Sequence, residues 1–167
     1  MKRFRLFTKN ILLNCIASSC ITISYVQKKI FELYGYKIHK SSKIHPLCFF
    51  GFGKGRIIMD KHSFCNSKCF FDLSDDIIIG KNVAVGMNVT FLNSTHKLGD
   101  SNRRAKETIG LPIIIEDGCW IGANVVIMPG VTIKKGCVIG ATALVTKDTE
   151  PNGLYVGKPA HKIKDLI

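Results

Sequence analysis

The sequence predicts an all-β protein: a parallel β-helix of hexapeptide repeats, preceded by a short helical segment and interrupted by one extruded loop. Three observations carry that expectation. From Ile115 to Glu150 the residues fall into six lines of six, opened by Ile or Val at 115, 121, 127, 133, 139 and 145. The fifth place of each line is small or β-branched: Cys119, Val125, Val131, Cys137, Ala143 and Thr149. Glycine or another turn-forming residue fills much of the space between. A fixed internal period outranks local propensity, and a period of six fits neither an amphipathic helix nor a single alternating strand. It fits a coil of three short flat faces, each sending one aliphatic side chain inward. Such coils of about 18 residues stack as parallel strands roughly 4.8 Å apart.

Residues 1–37 do not follow the period and form an N-terminal basic and apolar helical segment. Lys2, Arg3, Arg5 and Lys9 precede an uncharged run from Asn10 to Gln27, which Asn14, Ser18, Ser19, Thr22 and Ser24 make too polar for a comfortable membrane span. A basic start followed by Ile11–Ala17 also fits a secretory signal. Two other readings suit the segment better. Phe4, Phe7 and Ile11 among basic neighbours suit an interfacial helix on anionic lipid. A helix covering the open edge of the first coil suits it equally, and the sequence leaves both open.

The β-helix itself is expected over 38–160. Ile38, Ile44 and Phe50 are spaced six apart, and Gly51, Gly53 and Gly55 then loosen the register. Ile58, Phe64 and Phe70 are read as the next inward set, a slip falls around Ser74–Asp76, and Ile79, Val85 and Phe91 continue. The large Phe residues predict wider coils here than further on. Residues 97–108 (K-L-G-D-S-N-R-R-A-K-E-T) are polar, charged and aperiodic, and are expected to leave one corner as a loop. Pro151–Asn152–Gly153 breaks the pattern, and residues 161–167 form a closing tail.

Among 167 residues, 46% are hydrophobic, which excludes global disorder. The chain carries 24 basic and 12 acidic residues, a net +12. The excess is concentrated at the start, where Glu32 is the only acid in residues 1–43. Such a field favours anionic partners, but no nucleic-acid-binding motif accompanies it. The seven cysteines have no framework spacing and read as reduced thiols. Cys65 and Cys69 lack the partners of a zinc site, so no metal is expected.

The string W-I-G-A-N-V-V-I-M-P-G-V-T-I through V-I-G-A-T-A-L-V-T-K-D (120–148), followed by G-K-P-A at 157–160, closely resembles the hexapeptide-repeat acyltransferases. The likeness is greatest to the galactoside/maltose acetyltransferase branch and runs from about Ile58 to Ala160. It implies a left-handed β-helix, a homotrimer, acetyl-CoA as donor, and active sites between subunits. His96, in N-S-T-H (93–96), falls on the family's catalytic position, and imidazole suits a base that removes a hydroxyl proton near neutral pH. Asn66 falls on the acceptor-site asparagine. Glu107 falls on a carboxylate that orients the acceptor or supports the imidazolium. Trp120 matches the residue lining the pantetheine channel, and the backbone N–H of Ala123 matches an oxyanion donor. Ala141, Thr146 and Lys147 match contacts to the CoA chain, while Lys158 and Lys162 are cations suited to its phosphates.

Residues that read a galactoside are not clearly matched, although Phe64 and Ser74 stand near such positions. The N-terminus resembles the leaders of O-acetyltransferases acting on cell-surface polysaccharide precursors. The resemblance therefore implies a cytoplasmic enzyme at the inner face of the cell membrane, acetylating a sugar hydroxyl. Acetyl transfer to an antibiotic, an amino sugar or serine, and a non-catalytic trimeric scaffold, are the alternatives. A metal-dependent β-helix hydratase would need three converging histidines, a spacing absent around His96.

Overall fold

The computed structural model describes residues 7–166, which form a left-handed parallel β-helix capped by helices at its N-terminal end. Three parallel sheets make the faces of the prism. The first holds Lys37–Ile38, Ile57–Met59, Ile77–Ile79, Ile113–Ile115 and Thr132–Ile133. The second runs from Lys43–Ile44 through Phe64–Cys65, Ala84–Val85, Trp120–Ile121 and Val138–Ile139 to Gly153–Val156. The third holds Phe49–Phe50, Phe70–Phe71, Thr90–Phe91, Val126–Ile127 and Leu144–Val145. Strands two or three residues long are too short to be stable alone, so each is held by the coils on either side.

The inward residues stack in columns. Ile115, Ile121, Ile127, Ile133, Ile139 and Val145 are all buried, as are the six fifth-place residues from Cys119 to Thr149. In the earlier coils the reading of Ile58, Phe64 and Phe70 as inward is wrong by one residue. Met59, Cys65 and Phe71 point in, while Phe64 and Phe70 are exposed on the outer surface and Ile58 is half-buried. Apolar doublets at I-I, F-C and F-F hide which member faces the core, because both satisfy the period. The inward Phe50, Phe71 and Phe91 form a ladder of rings 5.4 and 4.9 Å apart, tilted by 15°. This column fills the wider coils that the bulky residues foretold: Ile38 pairs with Met59 and Met59 with Ile79, whereas later Ile115 pairs with Ile133.

The extra residues all enter at one corner, between the third sheet and the first. There Gly51–Gly55 lies beneath Asp72–Asp75, which lies beneath Asn93 and Gly110. A methyl group on Gly53 would overlap the Leu73 carbonyl, so only glycine permits this stacking. Leu73, itself at φ 63°, plugs the core beneath the corner and is fully buried.

The extruded segment is more regular than its polar sequence suggests. Ser94–Leu98 pairs antiparallel with Ala105–Gly110, leaving only the intervening turn outside the hairpin. At the far end His161–Asp165 folds back antiparallel on Gly153–Val156 and completes the second sheet. At the near end a π-helical segment, Ile11–Ala17, and an α-helix, Ser24–Leu33, cover the first coil. Leu13, Ala17, Ile30 and Phe31 are their buried contacts, and Phe31 packs on Tyr36 and Phe50. The expectation for Phe4 and its basic neighbours lies outside the described residues.

Candidate active site

His96 sits on the outgoing strand of the hairpin, opposite Thr108. Its imidazole is exposed, and Nδ1 lies 3.1 Å from the Lys106 carbonyl oxygen. A carbonyl can only accept, so this contact requires a proton on Nδ1, and in the neutral ring the lone pair is then on Nε2. The hairpin that aims this lone pair is rooted by Asn93, which is fully buried. The Asn93 amide accepts from Ser74 N–H at 2.9 Å and donates to the Asp75 carbonyl at 2.5 Å, while its own carbonyl accepts from Leu111 N–H. Gly110 closes the other leg where a side chain would run into the Ser74 carbonyl.

Glu107 is on the same hairpin, but its carboxylate is paired with Lys97 at 2.7 Å. No hydrogen bond or ion pair joins it to His96. The adjacent charges Lys106 and Asp100 are 4.0 Å apart.

The other candidates lie elsewhere on the prism. Asn66 follows the second-sheet strand Phe64–Cys65, at the corner leading to the third sheet. Its Oδ1 accepts from Ser67 N–H, and its main-chain carbonyl accepts from the thiols of Cys48 and Cys69 at 3.4 and 3.1 Å. Its Nδ2 donates to no described residue. Above it on the same corner stand Ala123 and Ala141. The carbonyl of Ala123 accepts from Thr142 N–H, but among the described residues nothing accepts from the N–H of Ala123 or Ala141.

Sequence reasoning missed what keeps those amides open. A Cβ on Gly86 would lie 2.7 Å from the Ala123 nitrogen, and one on Gly122 would lie 2.5 Å from the Ala141 nitrogen. Each glycine thus clears space over the N–H of the next coil. The signal was present as Gly at matching places in V-G-M, I-G-A and I-G-A.

Trp120 stands outward on the second sheet between Ala84 and Val138, with 60% of its surface exposed. Thr146, Lys147 and Lys158 are exposed on the last coils, and neither lysine is ion-paired among the described residues. Lys162 differs: Glu150 and Asp165 both approach its ammonium to 2.6 Å and raise its pKa. One chain therefore brings together Asn66, Ala123, Ala141 and Trp120 around the second sheet. It holds His96 and Glu107 at another corner.

Comparison with known proteins places this arrangement. The bacterial transferase hexapeptide (six repeats) family matches residues 112–147. The galactoside O-acetyltransferase of Lactococcus lactis is 30% identical over 158 residues, covering 93% of this chain and 76% of that protein. The chain belongs to the hexapeptide-repeat acetyltransferases. Another relative, the galactoside O-acetyltransferase of Escherichia coli, is 32% identical over 139 residues, and the chain spans 66% of its length. A solved hexapeptide-repeat acetyltransferase of Vibrio cholerae, complexed with acetyl coenzyme A, is 34% identical and superposes with a TM-score of 0.82. That match covers 99% of this chain and 90% of the other. For a hexapeptide-repeat acetyltransferase, the departures from the repeat are informative: they gather at the corner that carries His96.

Proposed function

We propose that this protein is an acetyl-CoA-dependent O-acetyltransferase that acts on a sugar hydroxyl in a cell-surface polysaccharide or its precursor, as a homotrimer in the cytoplasm. The observation that carries the reading is the fixed imidazole of His96, with Nδ1 held by the Lys106 carbonyl and Nε2 free on a rooted hairpin. The family relationship supports the acyl chemistry.

Acetyl-CoA supplies an acyl group activated as a thioester. His96 Nε2 accepts the proton of the sugar hydroxyl as its oxygen attacks the acyl carbon, and returns that proton to the departing sulfur. The open N–H of Ala123 donates to the negative charge that develops on the acyl oxygen. Asn66 Nδ2 orients the hydroxyl. The exposed amide of Ala141, with Thr146, Lys147 and Lys158, suits a phosphate-bearing chain laid along the last coils. Because His96 and Asn66 occupy different corners of one chain, the complete site forms where the hairpin of one copy meets the second sheet of the next.

Thiol release from acetyl-CoA, followed across a panel of glycans, tests the reading. His96→Ala is expected to lower acceptor-dependent turnover by about 10²–10⁴-fold, and undiminished turnover would remove His96 from the reaction. Mixed with Asn66→Ala and allowed to exchange subunits, the same variant should recover about a quarter of wild-type activity, the share of sites built from two intact halves. No recovery would place both residues in a single-chain site.

A further inference from the structure

The two ends of the prism are finished differently. At the C-terminal end the closing strand holds Lys162 between Glu150 and Asp165, and of its two lysines only Lys164 is without an ion pair among the described residues. At the N-terminal end the inner faces of the two helical segments cover the first coil, while their outer surface is left apolar. Ile21 is 91% exposed and Ile23 65%, both in the turn between the helices, and Phe7, Tyr25 and Leu33 are each more than 60% exposed. Ile21 also lines a groove of about 520 Å³ with Leu47 and Phe49. A solvated turn has no packing reason to hold two bare isoleucines, and grouped apolar exposure of this kind marks an interaction surface.

The charge around this surface states what it meets. Lys37, Lys40, Lys43 and Lys54 are exposed, and none is ion-paired among the described residues. Glu32, the sole acid before Asp60, is already engaged by Lys29 at 2.9 Å. Lys2, Arg3 and Arg5 add further cations in the sequence. No described helix is long and apolar enough to cross a membrane, so any contact of these helices with lipid is with its surface.

We infer that the N-terminal cap docks on a lipid bilayer bearing anionic headgroups, with Ile21 and Ile23 entering the headgroup–acyl boundary and the lysines facing lipid phosphate. Apolar insertion and basic attraction act together in such binding, which weakens with salt. The inference is independent of the acyl-transfer reading, since it uses none of the proposed catalytic residues.

Co-sedimentation of the full chain with phospholipid vesicles tests it. Vesicles mixing phosphatidylglycerol with phosphatidylcholine should pellet the protein, pure phosphatidylcholine should not, and high salt should release it. Ile21→Asp combined with Ile23→Asp should lower partitioning about tenfold or more, with the sedimentation coefficient in solution unchanged. Both positions are too exposed for the change to disturb the core. Lys40→Glu with Lys43→Glu should weaken binding to the anionic vesicles alone. Equal binding to neutral vesicles, or undiminished binding by the isoleucine double variant, would overturn the proposal. So would a changed association state in that variant, which would make the surface a contact between copies.

Discussion

In the coils before Phe91 a turn of the prism takes twenty or twenty-one residues, whereas from Ile115 onward it takes eighteen, and sixteen in the last turn from Val138 to Leu154. The narrow coils carry aliphatic side chains at all three faces and almost nothing at their corners. The wide coils have a column of phenylalanine in place of Ile127 and Val145, and their extra residues pile up at one corner, ending in the His96 hairpin. The narrow half is therefore a repeat that stabilises itself, while the wide half spends its irregularity on building a platform. The family match to residues 112–147 falls entirely within the regular half apart from its first positions. What makes the chain recognisable and what aims its proposed base lie in different coils.

Stability variants test that division most strongly. Phe71 sits between the rings of Phe50 and Phe91, and Phe71→Ala should cost about 3–5 kcal/mol in chemical unfolding. Ile139→Val in the narrow half leaves a much smaller void and should cost about 0.5–1.5 kcal/mol. If the two proved equal, the phenylalanine ladder would not be what holds the wide coils together.

Asn93 separates stability from function. Asn93→Ala leaves the partly buried Ser74 N–H and Asp75 carbonyl without their partner, at a cost of about 1–3 kcal/mol. Because those bonds root the hairpin, acetyl transfer should fall by at least about tenfold at temperatures where the variant is still folded. Ile139→Val, whose smaller stability cost does not touch the hairpin, should leave turnover unchanged. Equal activity in the two variants would mean that the hairpin keeps its aim without its root.

Cysteine reactivity reads the packing directly. Cys15 and Cys20 are exposed on the cap, whereas Cys48, Cys65, Cys69, Cys119 and Cys137 are buried within the coils. Burial pushes the Cys119 thiol up to about 11 and holds Cys65 well above its ordinary value. Mild alkylation of the native protein, counted by mass, should therefore modify Cys15 and Cys20 only, with the other five reacting after denaturation. Early labelling of Cys48 or Cys65 would show that the wide coils open more readily than the narrow ones.

How much could be read beforehand follows the same line. From Ile115 to Val145 every inward residue was legible, because one aliphatic residue per line leaves no choice of register. At Ile57–Ile58 and Phe70–Phe71 two equivalent apolar residues stand side by side, and only neighbouring coils decide which is buried. His96 and Asn66 were put forward as candidates from the motifs around them. Asn93, Gly86 and Gly122 were not, since their work is done on backbone groups of the adjacent coil, eighteen or more residues away. The hairpin was hidden because solvent-exposed strands in a ribbon need no alternation of apolar and polar residues.

The smallest expected effect lies beneath the platform, at Arg56 and Asp76. The Arg56 guanidinium lies 2.8 Å from one Asp76 oxygen, and the other oxygen accepts from Arg56 N–H. Arg56 beside it holds the Asp76 carboxyl below its ordinary value. A carboxylate depressed by folding contributes stability that is present above its unfolded pKa and lost as pH falls through its folded pKa. Arg56→Ala should therefore cost less than about 1 kcal/mol at neutral pH, as expected for a pair with one half-exposed partner. Compared by urea unfolding at several pH values, wild type and variant should converge below about pH 4. Should the gap persist at low pH, the arginine would be supporting the corner through its methylene stem, and the platform would rest on packing alone.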